Sequence, residues 1–172
     1  MNAEARRQAL LAMLGEAREP LTGTQLSERL GVSRQVIVQD IALLRAAGEA
    51  ILATPRGYAR SGPPRGALTY LVACRHHPGA VADELLTMVE LGAEVLDVMV
   101  EHPLYGEISG KLLLATPEQV REFTSSLAAS GARLLSSLTG GVHLHTIRVP
   151  DVATYRAVRA ALRARGYLLE ED

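Results

Sequence analysis

The run Ser61-Gly-Pro-Pro-Arg-Gly66 limits the fold more than any other stretch of the chain. Two consecutive prolines lock two φ angles and remove two backbone donors. Neither a helix nor a central strand continues through them, and the flanking glycines favour a turn or joint. A chain of 172 residues broken at this point folds as two units, residues 1–62 and 63–172, each with its own core. The chain is 48% hydrophobic but has one Phe, five Tyr and no Trp, so both cores must be built from aliphatic side chains.

Before the joint, helical spacing predicts three helices. The first covers about residues 4–17, with Leu10, Leu11 and Leu14 on one face. The second covers about 24–30, opened by Thr22 with Gln25 three residues on, a capping box, and closed by Gly31. The third starts at the N-cap Ser33 and runs to Ala47, with Gly48 as its stop. Two β pieces, Ile51–Ala53 and Tyr58–Arg60, flank the turn Thr54-Pro-Arg-Gly57. Helix, tight turn, helix and hairpin in this order predict a winged helix-turn-helix. Val36, Ile37, Ile41 and Leu44 would hold the third helix to the other two, leaving Ser33, Arg34, Gln35, Val38 and Gln39 to face DNA. Arg and Gln at the start of such a helix can pair bidentately with guanine and adenine edges. Arg56, at the wing tip, would reach a phosphate or the minor groove. The plain alternative is a three-helix module that binds protein.

After the joint the pattern becomes β-α-β-β-α-β-α-β. Strands are predicted at 67–75, 94–101, 107–114, 142–149 and 167–169, and helices at 78–91, 117–130 and 151–165. The fold class is therefore α+β: a winged helix-turn-helix followed by a domain whose largely antiparallel sheet is covered by helices. The segment "GVHLHTI" places His143 and His145 two apart on a strand, where side chains i and i+2 share a face. Two imidazoles so placed can ligate one ion. Further ligands must come from His76, His77, His102 or the carboxylates. His76 ends a strand and Glu84 lies eight residues on in the next helix, so both can reach one point over the sheet edge. Three imidazoles and one carboxylate suit Zn²⁺, Ni²⁺, Fe²⁺ or Mn²⁺.

Other classes fall away. No apolar run approaches the roughly 20 residues of a membrane span, and the charged, helical N-terminus is not a signal peptide. The lone cysteine, Cys74, cannot form an internal disulfide, which suits a reducing cytoplasm; it reads as a small buried strand residue. A net charge of −1 is too small to establish a nucleic-acid partner.

The blocks "YLVACRHHPGAVADELL", "DVMVEHPLYGEISG" and "LTGGVHLHTI" closely resemble the three-histidine domain of niacin-responsive transcriptional repressors. "GVSRQVIVQDIALLRAAG" and "ATPRGY" resemble that family's winged module of the biotin-repressor type. The resemblance covers nearly the whole chain. It implies one divalent transition metal per chain held by His76, Glu84, His143 and His145, with His77 an extra neighbour that the family pattern lacks. His102 and Tyr105, in a family block, are read as effector-binding; the plain alternative for His102 is local bonding to backbone.

The function so implied is a cytoplasmic homodimeric repressor that binds double-stranded operator DNA. Nicotinic acid would act as co-repressor on genes of NAD synthesis or niacin uptake. One rival is a purely metal-responsive regulator. Another is a His3Glu metalloenzyme, against which stands Thr146-Ile-Arg-Val-Pro150, where cupin enzymes carry a glutamate after the paired histidines. The reading is therefore of a regulator and not an enzyme.

Overall fold

The computed structural model describes residues 2–60 and 67–170; the predicted joint at 61–66 lies outside them. The chain divides into two compact units, Met1–Pro63 and Pro64–Asp172.

In the first unit, α1 (Ala3–Glu16) is capped by Asn2, whose side chain accepts from the Ala5 amide at 2.8 Å. The capping box at Thr22 and Gln25 is complete and starts α2 (Gly23–Leu30). Gly31 ends that helix at φ 64°, and Ser33 caps α3 (Arg34–Ala46). Leu10, Leu14, Leu26, Ile37, Ile41 and Leu44 form one buried cluster with Ile51, so the three helices and the hairpin share a core. Val36, expected in that set, is only half-buried. The hairpin is β1 (Ile51–Thr54) against β2 (Gly57–Arg60), and Leu21 exchanges backbone bonds with Tyr58 at 2.9 and 2.8 Å.

That third pairing depends on Gly57. Its φ is 125°, and a Cβ there would lie 2.4 Å from the Leu21 carbonyl oxygen. Gly57→Ala is expected to cost more than the roughly 1–3 kcal/mol of backbone strain alone, because the clash is with backbone that cannot swing away. The unfolding midpoint of this unit should fall by roughly 4–8 °C for each kcal/mol. A midpoint unchanged in calorimetry would show that the wing tolerates a side chain there.

The second unit contains one four-stranded sheet, β3 (Leu68–Arg75), β4 (Glu94–His102), β5 (Gly106–Leu114) and β6 (Val142–Val149), in the order β3-β6-β4-β5 with every pairing antiparallel. Along β6, His143, His145, Ile147 and Val149 are buried while the residues between them are not, the period of two that strand geometry dictates. Leu85, Met88 and Val89 of α4 (Val81–Glu90), Val120 of α5 (Pro117–Ser130), and Val158 and Leu162 of α6 (Val152–Ala164) join the core that those strand residues line.

Two local expectations change. The helix predicted from Pro78 begins as a 3-10 turn, Pro78–Ala80, before α4. The predicted last strand, 167–169, is a single bridge from Leu168 to Cys74, held by backbone bonds to Ala73 and Arg75. Three residues are too few to extend the ladder, but they cover the β3 edge. A second 3-10 turn, Leu135–Thr139, interrupts a stretch that has no helical period.

Candidate functional site

β6 presents His143 and His145 on its covered face, α4 presents Glu84 from its first turn, and His76 follows directly after β3. Glu84 is 0% exposed and all three imidazoles converge on it. His143 Nε2 lies 3.1 and 3.2 Å from the two carboxylate oxygens, and His145 Nε2 lies 2.7 Å from Oε1. His76 Nε2 is in contact with Oε2 and has no hydrogen-bond partner among the described residues. Gly141 permits this approach: at φ 96°, a Cβ there would sit 2.5 Å from the His76 carbonyl oxygen.

The other ring nitrogens fix the tautomers. His76 Nδ1 donates to the His77 carbonyl at 2.8 Å, His143 Nδ1 to Gly141 at 2.8 Å and His145 Nδ1 to Asp97 at 2.7 Å. A carbonyl oxygen only accepts, so each Nδ1 carries a proton, and a ring in its neutral form turns an Nε2 lone pair toward Glu84. Lone pairs so placed around carboxylate oxygens suit a shared cation. Three imidazoliums around one carboxylate would bury a net charge of +2, which costs far more than one divalent ion shared by all four groups. The donor set therefore fits a divalent metal, with backbone carbonyls orienting each ring from behind.

With no ion shared among them, the rings can instead protonate and bond Glu84 directly: burial discourages charge on both partners, yet their mutual attraction prevails. For Glu84, hydrogen bonds and charge from His143 and His145 outweigh burial and hold its carboxyl well below the usual carboxylate range. For His143, the bond to Glu84 and its charge likewise outweigh burial and raise the imidazole above its ordinary value.

Two residues at this site were not assigned to it from the sequence. Asp97 lies at an irregularity in β4, where the register to β6 shifts between Val95 and Met99. At that irregularity its carbonyl accepts from His145, while its carboxylate accepts from the Thr146 amide at 3.0 Å. An acidic residue inside the apolar run "EVLDVMV" was the available signal. The other residue is Cys74, buried as expected but placed opposite His143 in the β3–β6 register. Its sulfur, a Glu84 oxygen and a His143 nitrogen lie within 4.8 Å of one another. Burial pushes the Cys74 thiol up, and the Glu84 carboxylate adds to the effect.

A cavity of about 30 Å³ adjoins the four converging side chains, lined also by Phe123, Leu134, Leu135 and Ser136. His77 is exposed and only its carbonyl enters the arrangement. The structure does not bring His102 and Tyr105 into this cavity. His102 Nδ1 accepts from the Leu104 and Tyr105 amides at 3.1 and 3.2 Å, so the ring pins the β4–β5 turn, and Tyr105, stacked on it, is 73% exposed.

In the first unit, Ser33, Arg34, Gln35 and Gln39 are exposed together at the start of α3, and Val38 beside them is half-buried. Arg56 sits in the hairpin turn, but its side chain is only 15% exposed and lies 3.8 Å from Glu19. The sequence also did not reveal Asp40, buried on the opposite side of α3. It accepts from Arg6 of α1 at 2.5 and 3.1 Å, clamping α3 in the orientation that exposes Arg34 and Gln35.

Comparison with known proteins agrees with both halves. A helix-turn-helix domain family matches residues 6–59, and the 3H domain family matches residues 69–171. The chain is 44% identical over 168 residues to the probable transcription repressor NiaR of Thermotoga maritima, covering 98% of this chain and 95% of that one. It is 38% identical over 169 residues to the transcription repressor NadR of Bacillus subtilis, covering 96% of this chain and 94% of that one.

Proposed function

This chain belongs to the family of transcription repressors that includes NiaR and NadR, with a helix-turn-helix domain followed by a 3H domain, and we propose that it represses transcription in response to nicotinic acid sensed at a metal centre. The metal is a divalent transition ion held by His76, Glu84, His143 and His145. The observation that carries this reading is the set of three carbonyl-anchored rings turning unprotonated nitrogens onto one buried carboxylate. Such an ion with an open position accepts a carboxylate or a pyridine nitrogen.

The effector belongs beside the ion rather than at the exposed hairpin of His102 and Tyr105. Apart from the four ligands, Ser136 is the one polar side chain among the described residues lining the cavity; the others, Phe123 among them, are apolar and suit a flat ring. At about 30 Å³ the cavity holds little more than water, so nicotinate enters only as the neighbouring 3-10 turn and Phe123 withdraw. A ligand that needs this rearrangement favours one conformation over another, the requirement for any signal.

The protein acts on DNA in the cytoplasm as a homodimer, since two-fold operators are read by two-fold proteins. Among the described residues no helix is long and apolar enough to cross a membrane. The controlled genes are those of NAD synthesis or niacin uptake.

The test is a gel shift on promoter fragments of such genes, titrated with metal alone and then with metal plus nicotinate. Retardation that sharpens only with both supports the reading. Full retardation with metal alone, unchanged by nicotinate, would make the chain a purely metal-responsive regulator.

A further inference from the structure

Cys74 is the chain's one cysteine and sits fully buried on β3, directly across from His143 on β6. Antiparallel partners project to the same face, so the sulfur and the His143 ring share the side on which Glu84 lies. Two donors on one ion are separated by at most the sum of their bond lengths, roughly 4.0–4.5 Å for sulfur, nitrogen and oxygen on zinc. The Cys74 sulfur, a Glu84 oxygen and a His143 nitrogen lie within 4.8 Å of one another, so a small inward movement of the three side chains brings them within reach of one ion. His76 Nε2 belongs to the same cluster: its side chain is 3% exposed, aimed at the same carboxylate, and without a regular hydrogen bond among the described residues.

Resting on the metal reading above, we infer that Cys74 supplies a thiolate sulfur as a fifth donor to the ion held by His76, Glu84, His143 and His145. Charge favours the arrangement. A divalent ion with three neutral imidazoles and one carboxylate leaves a buried net charge of +1. A thiolate brings the site to zero, which a low-dielectric interior strongly prefers. As the metal–sulfur bond forms, the S–H bond is given up and its proton passes to solvent, so no oxidant or reductant is needed. The consequence is selectivity: a soft sulfur draws zinc, cobalt or nickel and disfavours manganese, for which three nitrogens and an oxygen would suffice.

The experiment is cobalt(II) titration of the full chain, comparing wild type with Cys74→Ser and the volume-conserving Cys74→Val. The expected result is a near-ultraviolet thiolate-to-cobalt charge-transfer band in wild type. It is absent from both variants, although they still bind cobalt and keep its weaker visible bands. Competition between zinc and manganese should shift toward manganese in both variants, because the one soft donor is lost while the nitrogen and oxygen donors remain. Cobalt bound by all three proteins with one spectrum and one zinc-to-manganese ratio would overturn this inference and leave the four-ligand site standing. No cobalt bound by wild type would overturn both.

Discussion

His143→Ala is expected to strip the protein of its divalent ion while leaving both units folded. The side chain contributes a nitrogen 3.1 Å from Glu84 and is one of the three whose protons are committed elsewhere. Its loss leaves two imidazoles and a carboxylate, with solvent admitted where the ring was. Altering groups that merely support metal ligands costs roughly 10–100-fold in affinity, so deletion of a ligand should cost more than about 100-fold. The fold should survive because the cluster around Val72, Leu85, Met88, Val95 and Ile147 does not depend on the ring. Elemental analysis after gel filtration reads the metal, and circular dichroism reads the fold. Stoichiometric metal in His143→Ala would sink the assignment. Glu84→Gln is the isosteric control: it keeps the shape and removes the charge that offsets the ion, so it should lose metal as well. His77→Ala should keep it, since that ring is exposed and only its backbone carbonyl is used.

Local signals were legible in the sequence because they act over a few residues. Thr22, Ser33, Thr116 and Asp151 each cap the helix that follows them, and the alternation around "GVHLHTI" put both histidines on one face of a strand, the face that is buried in β6. The four converging residues came from the family resemblance together with the eight-residue interval from His76 to Glu84. What the sequence hid depends on pairings between distant segments. Cys74 reaches the site only through its register with His143, and nothing local sets which residue of β3 faces which of β6. The Asp97 carbonyl meets His145 beside a register shift between strands that are far apart in sequence. The 3-10 turn over the cavity has too short a repeat to leave a periodic trace. Arg6 and Asp40, 34 residues apart, carry no local signal that they pair. His102 and Tyr105 were read as effector-binding, with local backbone bonding as the alternative for His102, and the His102 ring does accept from the Leu104 and Tyr105 amides.

Gln35→Ala is expected to weaken operator binding sharply and random DNA hardly at all. Ser33, Arg34, Gln35 and Gln39 stand exposed together at the N-terminal end of α3, while Asp40 on its inner side is held by Arg6. That geometry leaves the first turn of α3 free to enter a major groove, where a Gln bidentate to adenine or an Arg bidentate to guanine would be worth about 1–3 kcal/mol of discrimination. In a dimer the loss is counted at both half-sites, so the operator affinity should fall by about 2–6 kcal/mol. Arg34→Ala should behave alike, with the change confined to different base positions. A phosphate contact behaves otherwise, because losing one weakens every sequence equally and lowers the salt slope by about one. Arg56 tests that second pattern with a built-in limit, since its side chain is largely packed and near Glu19. Arg56→Ala should flatten the salt dependence only if binding draws the guanidinium away from Glu19 toward the backbone. Fluorescence anisotropy on operator and scrambled duplexes, each at several salt concentrations, separates these cases. Equal losses on both duplexes for Gln35→Ala would remove α3 as the reader, and base recognition would then have to lie elsewhere in the winged unit.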